Sequence, residues 1–127
     1  MPLPAKLAWL AALGALGTLA RYGLGGAVQH LHESGFPWGT LAVNTLGCFL
    51  FGLVWTLAEE RLVISGETRA VVLIGFMGAF TTFSTYAFET AAMLRDAAWL
   101  PAAGNVLAHN GLGIAGFFLG VALGRVL

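Results

Sequence analysis

Charge is what this sequence has least of. Only 9% of its 127 residues are Asp, Glu, Lys or Arg, where soluble domains carry about a quarter, and 58% are hydrophobic. Such a chain cannot cover a water-facing surface, so a soluble domain is excluded and a membrane protein is expected. Six basic residues balance six acidic ones, which leaves no basic patch for nucleic acid. Cysteine is almost missing as well. Cys48 stands alone in the middle of an apolar stretch, so no intrachain disulfide can form and a packing role is the plain reading.

The few charges are clustered, and their spacing defines the architecture. Uncharged runs of about 25, 19 and 28 residues extend over Ser34–Ala58, Ala70–Phe88 and Ala97–Gly124, near the roughly 20 needed to cross a bilayer. Leu7 to about Val28 supplies a further span that contains Arg21. A cleaved signal peptide would compete for that segment, because MPLPAK is a weakly basic start, yet no polar mature domain follows it. The expectation is one all-α integral membrane domain over residues 1–127, with spans near 7–28, 38–58, 70–94 and 99–124. Trp38 and Trp99 fall at span starts, where indole rings favour the headgroup zone. Four spans place both termini on one side with Lys6, Arg61, Arg69 and Arg125, and Arg95 opposite. Positive residues favour the cytoplasmic side, but the bias is slight enough for insertion in both orientations.

Glycine is abundant, at 18 residues, and recurs at helical spacing at Gly14 and Gly17 and again at Gly113, Gly116, Gly120 and Gly124. Small residues let helix backbones approach closely in lipid. A chain this small and this densely packed is expected to oligomerise. The third span is different in kind: GFMGAFTTFSTYAFE, Gly75–Glu89, sets four Ser and Thr hydroxyls and a carboxylate in an apolar stretch. Polar groups at membrane depth must be satisfied by protein or line a cavity, and by default they mark a site. Gly75, Gly78 and the pair Thr81 and Thr82 weaken helix propensity there, so a break is expected. Carbonyls freed at such breaks coordinate small cations in membrane proteins. Beyond it Thr81, Ser84, Thr85 and Phe88 share one helix face and Phe83 and Tyr86 a neighbouring one. The bland alternative is that the hydroxyls bond back to their own helix and the rings are core. Asn44, the only amide in TLAVNTLGCFLFG, can donate to an anion or tie two helices together at about 1 kcal/mol.

Three stretches in order, GALGTLARYGLGG (Gly14–Gly26), TLAVNTLGCFLFG (Thr40–Gly52) and GFMGAFTTFSTYAFE (Gly75–Glu89), closely resemble the Fluc (CrcB-like) fluoride channels over nearly the whole chain. The resemblance implies an antiparallel homodimer in the bacterial inner membrane, inserted in dual topology. It implies two pores, a sodium ion at the dimer centre, and passive fluoride export that lowers cytoplasmic fluoride. Carried over residue by residue, it makes Asn44 a pore-facing amide, Phe83 one of an aromatic pair beside the ion path, and Ser84 and Thr85 members of a polar track. Gly78 and Thr81 match the break whose backbone carbonyls hold sodium. Arg21 and Glu89 match a motif arginine and an acidic residue just outside the path. Two positions depart from the pattern: Tyr86 stands where the second ring is normally Phe, and His109 where a hydroxyl residue is expected.

The chemistry is intelligible on its own terms. Fluoride is small and strongly hydrated, so a pore must replace water with donors such as Asn N–H, Ser and Thr O–H and the positive edges of aromatic rings. Fixed positive charge is not required, and a lysine-lined path would hold the ion too tightly to release it. Arg21 reads as a buried structural cation with Glu89 its most obvious partner, and His109 as a group bonded across helices, with pathway and pH-sensing roles open to it. A small dual-topology multidrug transporter shares the length and span count but needs an acidic residue in the first span, where only Arg21 is found. A haem-anchoring subunit needs paired histidines within spans, whereas His30 and His32 sit at a loop. An intramembrane hydrolase built on Ser84 and His109 lacks any spacing that fixes a dyad, so no enzyme is expected.

Overall fold

A computed structural model of the chain, covering residues 1–127, is helical throughout. Helix α1 spans Leu3–Leu31 and α2 spans Trp38–Glu59. Helix α3 occupies residues 66–80 and carries a π-helical stretch, Val72–Met77, between the α segments Gly66–Val71 and Gly78–Phe80. Helix α4 is Phe83–Arg95 and α5 is Trp99–Val126. Four stretches, Leu3–Leu31, Trp38–Glu59, Gly66–Arg95 and Trp99–Val126, are long and apolar enough to cross a membrane.

Sequence chemistry explains the ends. Pro2 and Pro4 open α1, where the missing proline N–H removes no helical bond. The Ser65 hydroxyl accepts from Thr68 N–H at 3.2 Å and starts α3. Trp38 and Trp99 are the first residues of α2 and α5, as their interfacial preference anticipates. Helix α1 runs beyond the expected 7–28 at both ends, since Lys6 and His30 sit near helix termini where a charged or polar head reaches the interface. Between α1 and α2 the Gln29 side chain ties the turn, donating to the carbonyls of Ser34 and Phe36 and accepting from Gly39 N–H at 3.1 Å.

Packing follows the glycines. Helix α5 lies along α2 with Gly113, Gly116, Gly120 and Gly124 buried. At Gly120 the absence of a side chain is decisive, because a methyl group there would overlap the Phe49 carbonyl. Helix α1 seats Gly17 on the carbonyl of Phe76, within the π segment. A small core of Val43, Leu73, Met77 and Phe80 joins α2 to α3. The Met1 ammonium meets Glu67 at 2.8 Å, Arg125 meets Glu60 at 2.7 Å, and Arg69 pairs with Glu59. Both chain ends and the 60–65 connection therefore sit at one end of the bundle. Its hydrogen bond to Arg125 holds the Glu60 carboxyl below the usual carboxylate range.

Candidate functional site

The site is built around two residues that leave the helix. Thr81 (φ −90°, ψ 157°) and Thr82 (φ −149°, ψ 108°) are extended between α3 and α4. The interruption thus falls on the threonine pair, about one turn beyond Gly78 and nearly two beyond Gly75. Extended backbone at this depth leaves amide groups to be satisfied by something other than a ladder. Asn44 of α2 does so from both sides of its amide: Nδ2 donates to Thr82 O at 3.0 Å, and Oδ1 accepts from Thr82 N–H at 2.7 Å. The Thr82 hydroxyl then caps α4, accepting from Thr85 N–H at 3.2 Å, donating to Thr85 Oγ1 at 2.9 Å and lying 3.2 Å from Ser84 Oγ.

These bonds release two carbonyls. In a continuous helix the Gly78 carbonyl would receive Thr82 N–H and the Thr81 carbonyl would receive Thr85 N–H. Thr82 N–H goes to Asn44 instead, and Thr85 N–H to the Thr82 hydroxyl. The Thr81 side chain is turned the other way, with its hydroxyl donating to Met77 O at 2.9 Å. Of the Ser and Thr hydroxyls expected to form a track, only that of Thr81 bonds back to its own helix, while Ser84 and Thr85 are joined to Thr82.

Beside the interruption lies a cavity of about 400 Å³. Asn44, Cys48, Gly78, Thr81, Thr82, Phe83, Tyr86 and His109 border it, and no Asp, Glu, Lys or Arg does. Phe83 and Tyr86 form the expected pair, with ring centres 5.3 Å apart and planes at 57°, and Tyr86 in turn lies against His109 at 4.3 Å. A tilted arrangement presents ring edges as well as faces. Phe83 is 79% exposed on the single chain, so one side of the cavity is open. Ser84 and Thr85 do not border this cavity. Thr85 borders a second one, of about 290 Å³, together with Arg21, Gln29, Thr40 and Glu89.

Two expected contacts take another form. Arg21 and Glu89 border the same cavity without pairing. Glu89 Oε1 instead accepts from the Thr40 hydroxyl at 2.7 Å, so a short neutral donor one turn before Asn44 replaces the arginine. His109 does not bond across helices: its Nδ1 is 3.1 Å from the Asn105 carbonyl of its own helix. The interhelical bond is made one turn earlier, where fully buried Asn105 donates to Thr90 Oγ1 at 2.9 Å, and Thr90 donates to Tyr86 O at 2.8 Å. Thr40 and Thr90 are thus polar residues to which the sequence reading gave no role. Their signal was that each interrupts an apolar span.

Four membrane-length helices, with amide, hydroxyl and aromatic groups converging on a helix interruption, define a multi-pass membrane protein with an intramembrane polar site. Comparison narrows the class. The chain belongs to the CrcB-like family, since the family model described as "CrcB-like protein, Camphor Resistance (CrcB)" matches residues 8–121. It is 58% identical to the "Fluoride-specific ion channel FluC" of Nitrosococcus oceani over 96% of this chain and 98% of that protein. Proteins of the same name from Desulforapulum autotrophicum and Solidesulfovibrio magneticus are 50% and 52% identical, again over 96% of this chain and 98% of theirs.

Proposed function

We propose that this chain is a fluoride-selective channel of the bacterial inner membrane, not an enzyme, and that it lets fluoride leave the cell passively. One observation carries the reading: the cavity at the interruption is bordered by an amide, hydroxyls and two tilted rings, and by no charged residue. Such a lining offers partial positive charge without a fixed cation, the balance that conduction of a strongly hydrated anion requires. The names of the relatives support the choice of ion. The open side at Phe83 and the glycine-rich packing support a homodimer, which in this reading is antiparallel and closes the path with a second copy.

Sodium fits the same picture. The carbonyls of Gly78 and Thr81 have lost their helical donors, and neutral oxygens of this kind suit a hard monovalent cation. They would hold sodium at the dimer centre, where the ion supplies charge that fixes the interruption. Thermal stability of the purified protein should accordingly rise with sodium chloride and not with N-methylglucamine chloride at equal ionic strength. Equal stability in both salts would remove sodium from the fold.

The deciding experiment is efflux from liposomes containing the purified protein, with fluoride and chloride compared under the same gradient. Rapid fluoride loss with chloride retained is expected, and equal retention of both would overturn the function. Tyr86 refines the test. Tyr86→Phe keeps the ring beside Phe83 and should conduct like wild type. Tyr86→Ile removes the ring and should lower fluoride flux by up to about tenfold, the equivalent of an aromatic contact worth about 1.4 kcal/mol. Equal flux from wild type and Tyr86→Ile would assign the side chain to packing.

A further inference from the structure

We infer that His109 is a proton-dependent element of the anion path, whose ring gains a positive charge beside the cavity when protonated, so that fluoride conduction increases as pH falls. The inference rests on the fluoride reading above and goes beyond it, because it gives the path a control that none of its neutral donors can provide.

Ring chemistry sets the argument. A carbonyl oxygen can only accept, so the 3.1 Å approach of Nδ1 to the Asn105 carbonyl requires the proton on Nδ1. The neutral ring therefore carries its lone pair on Nε2. That atom is buried and has no hydrogen-bond partner. A lone pair repels an anion, whereas a second proton gives the ring a positive charge whose field reaches the adjoining cavity and which, unlike a lysine's, is lost again on deprotonation. Position makes this matter: His109 borders the same cavity as Asn44 and Phe83 and lies against Tyr86 at 4.3 Å between ring centres.

The surroundings leave the ring as the principal switch. Of the elements packed against α5, α4 presents Tyr86, and α2 presents Cys48, which borders the same cavity. Neither brings a carboxylate, ammonium or guanidinium group to the cavity. Glu89 of α4 is bonded to Thr40 and borders the other cavity, along with Arg21. No carboxylate, Lys or Arg borders the cavity that His109 shares.

Two measurements test the assignment. In liposome efflux from about pH 8 down to about pH 4.5, a range that reaches well below imidazole's unperturbed value of about 6.5, wild type should gain flux several-fold after subtraction of the leak from protein-free vesicles. His109→Gln, which keeps a neutral amide donor, should show a flat profile. Superimposed profiles, or a wild-type flux that falls with pH, overturn the inference. The second readout needs no conduction. In protein carrying His30→Gln and His32→Gln, which leave His109 the only histidine, nitrogen NMR of the ring should show a larger protonated fraction in fluoride than in chloride at one pH, because linkage is reciprocal. A ring indifferent to fluoride overturns the inference even where flux is normal. A fluoride response without flux in any variant would instead place the failure in the channel reading.

Discussion

Replacing Asn44 with Asp should lower fluoride efflux by about tenfold or more while the purified protein stays folded. The change is nearly isosteric, so packing is preserved. What it removes is the N–H that donates to Thr82 O at 3.0 Å. A carboxylate oxygen there would face a carbonyl oxygen, both carrying negative charge, and only the acceptance from Thr82 N–H at 2.7 Å would survive. A buried polar group left without its partner costs about 1–3 kcal/mol, and more when charged, so a loss of about tenfold to several hundredfold is expected. The anionic charge beside the cavity also repels fluoride. Asn44→Leu separates the two effects, because it releases Thr82 without adding charge and should retain more flux than Asn44→Asp. Wild-type efflux from both variants would take the Asn44–Thr82 clamp out of the transport mechanism.

The second large effect is expected at Gly47. This residue of α2 is buried against Thr81, and a methyl group in its place would overlap the Thr81 methyl. Thr81 cannot swing away freely, because its hydroxyl donates to Met77 O at 2.9 Å and its backbone begins the interruption. Overpacking of this kind costs about 1–3 kcal/mol. Gly47→Ala should therefore cut fluoride flux and lower thermal stability together. Thr81→Ser removes the offending methyl while keeping the hydroxyl, so the double variant should recover most of both. A double variant as impaired as Gly47→Ala would show that the damage lies elsewhere on α2.

The helices were legible because charge is so scarce that its few positions bracket the spans. Trp38 and Trp99 marked two helix starts to the residue for a separate reason, the preference of indole for an interface. The π stretch Val72–Met77 was not legible. VLIGFM is apolar and its Gly75 signals only weakened helix propensity, not a π-helix, whereas the stretch lies where α1 seats Gly17 on the Phe76 carbonyl, a contact that exists only in the assembled bundle. The polar residues of the third span could be read as a site from composition alone, whereas their bonding could not. Asn44 and Thr82 are 38 positions apart, and no spacing rule connects them. Glu89 took Thr40 over Arg21, a choice between two plausible donors that depends on reach and burial. His109 bonded to its own helix because an Asn105 carbonyl lies one turn away, an option open to any helical histidine and therefore invisible as a signal.

The bond from Asn44 to both backbone groups of Thr82 also bears on how the protein is made. Each span can enter the bilayer as an independent helix, and helices associate only afterwards. Within its own span, however, the Thr81–Thr82 stretch has exposed amide groups with no partner, so an isolated third span in lipid would favour healing into a continuous helix. Only the side chain of an already inserted second span can hold it open. The extended stretch is consequently absent from the newly inserted segments and comes into being during their assembly, with the order of synthesis delivering the clamp before the residue it grips.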